Sequence, residues 1–175
     1  MSGASIERRA FVMEVRAAGR RLEGYAATFG TEARIADFTE VITPGAFRSS
    51  LLPSRDVLAL VDHDPSKVLA RTRSGSLRLS EDPRGLTFSL DVPDTQAGRD
   101  VLALAERGDL GGMSFGFTVP KDGDRWQGKR RELRSVILHE ISVVSAWPAY
   151  EGTNVQARAA APRLAHLRRY LETLP

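Results

Sequence analysis

Ser114, His63 and Glu140 have the types that a nucleophilic hydrolase needs. A serine hydroxyl is a weak nucleophile until a base takes its proton. Imidazole suits that task because it titrates near neutrality. It also needs an acceptor on its second ring nitrogen, which fixes the tautomer and stabilises the imidazolium. Ser114 lies in Gly111-Gly112-Met113-Ser114-Phe115-Gly116-Phe117. Read as a strand, this run turns Met113, Phe115, Phe117 and Val119 toward a core and leaves Ser114, Gly116 and Thr118 on the other face. Glycine is unfavourable inside a strand and marks a bulge or a close approach, so the space beside Ser114 is open to a substrate.

His63 sits in Val61-Asp62-His63-Asp64-Pro65 and Glu140 in Leu138-His139-Glu140-Ile141-Ser142. Alternation places His63 on the face of Val57, Ala59 and Val61, and Glu140 with Leu138, Ser142 and Val144. A buried carboxylate needs a partner, and an imidazolium is a good one. His139 is the alternative third member. Alternation puts it on the face opposite Glu140, so only one of the two looks into the site, and the carboxylate is the better partner for an imidazolium. An oxyanion hole would also be required. Its donors would come from the Gly111-Gly112 approach, with Gly112 as candidate, or from Trp147-Pro148-Ala149, with Ala149 as candidate. Taken singly, Ser114 reads as a small packing residue and His63 as a hydrogen-bonded structural histidine; the combination favours chemistry. A metal site from Asp62, His63, Asp64 and His139 is disfavoured: no ligand-spaced motif is present, and neighbours in a strand diverge. No metal and no cofactor is expected.

Composition narrows the classes. The chain has 175 residues, 42% of them hydrophobic, which is enough for one domain with a core. It has no cysteine, which excludes disulfides, a thiol nucleophile and thiolate metal sites. The 25 basic residues nearly balance 22 acidic ones, for a net charge of +3, so nucleic acid is not an expected partner. No apolar run is long enough to span a membrane, and no secretory segment is expected behind the first residues.

The elements that must position these residues are mainly β. Strands are predicted over 11–15, 22–29, 38–42, 57–61, 68–72, 75–80 and 85–92, separated by turns at Ala18-Gly19-Arg20, Asp64-Pro65-Ser66, Ser74-Gly75 and Asp82-Pro83-Arg84-Gly85. Thr43 and Pro44 predict a short helix over 44–52, ended by Pro53. A second helix is predicted over 96–107, capped by Asp94 or Thr95 and stopped by Gly108. The Ser114 strand follows, then a hairpin around 121–128, a strand over 130–133 and a long strand over 136–145, broken at Trp147-Pro148. Many short strands with regular turns suggest a barrel or sandwich. Residues 1–157 are expected to form this domain. Residues 158–175 would be a linker and an amphipathic helix carrying Leu164, Leu167, Leu171 and Leu174.

The order of motifs resembles the prohead proteases, capsid-maturation serine proteases of tailed phages. The resemblance is carried by Gly24-Tyr25-Ala26, Asp37-Phe38, Pro44-Gly45-Ala46-Phe47, Val61-Asp62-His63-Asp64, Leu69-Ala70-Arg71-Thr72, Gly85-Leu86, the run 111–117, the run 138–144 and Pro148-Ala149. It covers roughly residues 10–157. It implies a fold similar to herpesvirus assemblin, a small closed β-barrel wrapped by a few helices and often dimeric. It implies His63 as the base, Ser114 as the nucleophile and Glu140 as third member, with His139 as the alternative because the related herpesvirus enzymes use a second histidine. The substrates so implied are the major capsid protein, scaffold segments and the protease itself, cut inside the assembling procapsid in the host cytoplasm. A non-catalytic capsid-assembly or scaffold module is the alternative function.

Overall fold

The computed structural model describes residues 5–11 and 15–145. The expected linker and helix over 158–175, the break at Trp147-Pro148 and the Ala149 candidate lie outside the described residues. In chain order the elements are β1 (Glu7–Phe11), β2 (Val15–Ala18), β3 (Arg21–Thr28), β4 (Ala33–Ile35), β5 (Phe38–Ile42), β6 (Leu58–Val61), β7 (Asp64–Arg71), β8 (Leu77–Glu81), β9 (Gly85–Asp91), α1 (Gln96–Arg107), β10 (Gly112–Thr118), β11 (Asp124–Gln127), β12 (Arg130–Leu133) and β13 (Ile137–Val144). The chain is thus mainly β with one α-helix among the described residues.

These strands form three sheets, ordered β1-β10-β13-β6-β7, β11-β12-β5-β4 and β2-β3-β9-β8. Each sheet as paired has two open edges, so the strand pairing does not by itself establish a closed barrel. Two pairings are parallel, β13 with β6 and β12 with β5. The core lies between inner faces and draws on all three sheets, with Leu22, Phe47, Val57, Leu77, Leu86 and Leu90 completely or almost completely buried. Directly beneath the Ser114 strand is an aromatic floor. Phe115 meets Phe47 edge-on at 5.6 Å between ring centres, and Phe11 and Phe117 stack beside it at 6.1 and 5.2 Å.

α1 has the predicted bounds for the predicted reasons. The Thr95 side chain accepts the Gly98 N–H at the start, and Gly108 closes the end at φ 73°. Its buried stripe of Val101, Leu102 and Ala105 lies against the sheets. The helix expected over 44–52 is a correction: only a 3₁₀ turn forms, at Arg48–Ser50. Thr43 gives its hydroxyl to the Leu133 carbonyl at 3.0 Å instead of capping a helix. The Ala46 carbonyl accepts from Val136 N–H, so the segment is bonded sideways to the start of β13.

Candidate active site

The five-stranded sheet carries the site on the face turned away from the aromatic floor. β10 lies between β1 and β13, so Ser114 stands opposite Ala10 on one side and Ser142 on the other. Met113, Phe115 and Phe117 are fully buried on the core side, as the alternation predicts. Ser114 is itself fully buried, which corrects the expected opening beside it, and its hydroxyl donates to the Arg9 carbonyl at 2.9 Å. Of the two glycines ahead of it, Gly111 gives its N–H to the Val144 carbonyl at 2.8 Å. Gly112 opens the strand at φ 145°, a backbone that favours glycine.

His63 is not on a strand face, which corrects the expectation. Val61 pairs with Asp64, so Asp62 and His63 form the whole loop of the β6–β7 hairpin, at φ 50° and 60°. Two positive φ values in a two-residue loop are the type I′ turn, whose twist suits a hairpin but whose usual occupants are asparagine and glycine. For side chains such as histidine that conformation costs roughly 1–2 kcal/mol per residue. It persists because β13 clamps it. Asp62 N–H donates to the Val143 carbonyl at 2.9 Å. Asp62 also accepts the Ser145 N–H and hydroxyl at 2.8 and 2.6 Å. His63 N–H donates to the Ser142 hydroxyl at 3.3 Å.

From this turn the imidazole comes back over the sheet. Its Nδ1 lies 2.7 Å from Glu140 Oε1. The second carboxylate oxygen accepts the Ser142 hydroxyl at 2.5 Å, and Arg8 Nε approaches Oε1 at 3.8 Å from β1. Glu140 is buried and stands opposite Gly116. A Cβ added at Gly116 would lie 2.5 Å from Glu140 Oε1, so this glycine makes room for the carboxylate.

His139 required a second correction. The β10–β13 ladder shifts register after Gly116: Gly116 faces Glu140, while Phe117 faces Leu138. His139 is therefore the extra residue of a bulge. Leu138 and Ile141 both reach the core, and His139 and Glu140 lie together on the other face instead of opposing one another. Glu140 meets His63, whereas His139 Nε2 lies 3.0 Å from the Thr118 hydroxyl. The two aspartates beside His63 are engaged elsewhere as well. Asp62 bonds to Ser145, and Asp64 bonds to Ser66 and pairs with Lys67. Ser142 and Arg8 were not among the candidates read from the sequence, and Asp62 was weighed only as a metal ligand; of these, Ser142 left a signal for its role, two residues after Glu140 on the same face.

Among described residues the structure thus joins His63 directly to Glu140 on the sheet face that bears Ser114. No solved structure matches the chain. The prohead protease of Enterobacteria phage HK97 is 31% identical over 137 residues, which cover 77% of this chain and 58% of that protein. The chain therefore spans less than two thirds of that relative's length. The family model described as caudovirus prohead serine protease matches residues 8–167, from β1 past the last described strand. That match takes in every candidate residue of the site, and the chain belongs to the caudovirus prohead serine protease family.

Proposed function

We propose that this protein is a serine endopeptidase that cuts capsid or scaffold proteins during procapsid maturation, with Ser114 as nucleophile, His63 as general base and Glu140 as the acceptor that orients it. The observation that carries this reading is the 2.7 Å contact between His63 Nδ1 and Glu140 on the face that bears Ser114. A carboxylate on Nδ1 holds the proton there and leaves Nε2 as the base. Ser114 Oγ attacks the scissile carbonyl carbon while His63 Nε2 takes its proton. The tetrahedral intermediate collapses as His63 returns that proton to the departing amine. Water, deprotonated by His63, then attacks the ester, and Ser114 regains its proton as the new carboxyl group leaves. Gly112 is the proposed oxyanion donor among described residues. Ser114 is buried, so peptide entry requires the groups packed over it to part.

The relative's name, prohead protease, supports a capsid-protein substrate, and the reading extends to self-cleavage, an assemblin-like closed barrel, a homodimer and action inside the procapsid within the host cytoplasm. Co-expression with the capsid or scaffold protein encoded beside this one tests the central claim. Wild type should convert that protein to a lower intact mass, and Ser114→Ala, folded by circular dichroism, should leave it uncut. Cleavage by Ser114→Ala would overturn the assignment and favour a non-catalytic assembly module. A second test reads specific activity across dilution. It should rise with concentration if two copies complete the site, and a flat profile would overturn the dimer.

A further inference from the structure

We propose that Ser142 is a positioning residue that ties the base and its carboxylate into one unit; the inference deepens the protease reading and rests on it. Ser142 is fully buried on β13, the strand between β10 and β6, with Ser114 opposite it on one side and Leu60 on the other. Its hydroxyl has two partners. It accepts the main-chain N–H of His63 at 3.3 Å and lies 2.5 Å from Glu140 Oε2. The chemistry of these partners sets the direction of both bonds. A main-chain N–H can only donate, and an ionised carboxylate can only accept, so the one hydroxyl hydrogen points at Glu140. A single side chain therefore holds the strained turn that carries His63 and the carboxylate that its ring meets.

The groups that face Glu140 define what this hydroxyl does to the pair. From the β6–β7 turn comes His63 Nδ1 at 2.7 Å, and from β1 comes Arg8 at 3.8 Å. β10 contributes Gly116 and Ser114, which carry no charge. His139, its neighbour on β13, is turned to Thr118, while Asp62 and Asp64 bond to Ser145 and Ser66. The carboxylate charge is thus divided among an imidazole, a guanidinium and a hydroxyl. A hydrogen bond to the charged form stabilises it, most of all when no imidazolium is neutralising it. Removing the Ser142 hydroxyl leaves more of that charge to His63, which then holds its proton more tightly.

The test follows the His63 ring by NMR titration of the full chain, with the resonance assigned by its loss in His63→Gln. In Ser142→Ala the midpoint should move up. Ser142→Thr keeps the hydroxyl and should titrate as wild type. If Ser142→Ala does not fold, Ser142→Cys, with its weaker donor, should move the midpoint in the same direction. Against a cleavable substrate, Ser142→Ala should lose about tenfold or more in kcat with KM changed less than twofold. A buried serine that only fills space would lower stability and leave the titration alone. An unchanged or lowered midpoint therefore overturns the proposal. The titration needs no turnover, so failure of the protease reading would show in Ser114→Ala cleavage and failure of this proposal in the midpoint.

Discussion

At the residue scale, the site depends on one absent side chain as much as on those present. Gly116 leaves the space that Glu140 fills, and a methyl group there would sit 2.5 Å from the carboxylate oxygen that meets His63. Gly116→Ala should lower kcat by about tenfold or more, because misplacing a positioned group weakens the chemical step. Its melting temperature should fall as well, because the displaced carboxylate is buried and loses partners. Steady-state kinetics beside a thermal scan would check both, and wild-type kcat would contradict the role. The residue types of this site were legible in the sequence: a serine between glycines on the polar face of an apolar strand, one histidine at the end of another, and a carboxylate in a Val/Ile-rich strand; that the histidine sits in the hairpin loop itself was not. The relation of His139 to Glu140 was not. Alternation assumes an unbroken ladder, and one bulged residue reverses the parity of everything beyond it.

At the element scale, the β6–β7 hairpin is the part under strain. It places the imidazole where a straight strand could not, and the bonds from Asp62 to Ser145 keep it there. Asp62→Ala removes those acceptors and puts a poorer residue at φ 50°. We expect the melting temperature to fall by about 2–4 °C or more, together with kcat, since His63 would lose its fixed position. Calorimetry and kinetics on the same preparation would show whether both fall. α1 was readable to the residue because both of its ends are marked by local chemistry, a threonine cap and a left-handed glycine. The 44–52 segment carries similar marks and yet makes one 3₁₀ turn. Its carbonyls and hydroxyls are bonded to Val136 and Leu133, partners far away in sequence that no local signal announces.

At the scale of the whole molecule, a buried ionic network joins the first strand to the second sheet. Glu40 on β5 lies between Arg9 on β1, at 2.6 and 2.9 Å, and Arg131 on β12, at 3.1 Å. Arg131 also holds Glu7 and Asp124. Glu40→Gln would leave two guanidinium groups short of a counter-charge in the interior. Breaking such a pair from one side costs about 3–5 kcal/mol, to be read as a lowered denaturant midpoint. Glu7 adds a pH dependence. Burial pushes its carboxyl up, but the bonds and charges of Arg131 and Arg9 outweigh it and hold the group below its ordinary 4.5. Its contribution is therefore complete above that value and is lost as the pH falls through the lower, folded-state value. Glu7→Gln should flatten this acid limb in unfolding experiments run across pH, and an identical limb would exclude the network as its cause. Overall β character was legible from the spacing of short strands and turns. The division into three sheets and the two parallel pairings were not, because they join strands with no short-range connection.

The parallel pairing of β13 with β6 has a consequence for the order of events in synthesis. β13 is the last described strand, yet it sits at the centre of its sheet, between the strand that bears Ser114 and the hairpin that bears His63. It also supplies Glu140, Ser142 and the clamps of the His63 turn. While the ribosome is still adding residues before about 144, Ser114 and His63 have nothing between them to hold them in register. Pairings this distant in sequence form late and slowly. On the proposed site, a nascent chain is therefore silent as a protease until β13 has been delivered, so the machinery that makes it is out of its reach for as long as they are joined before that point.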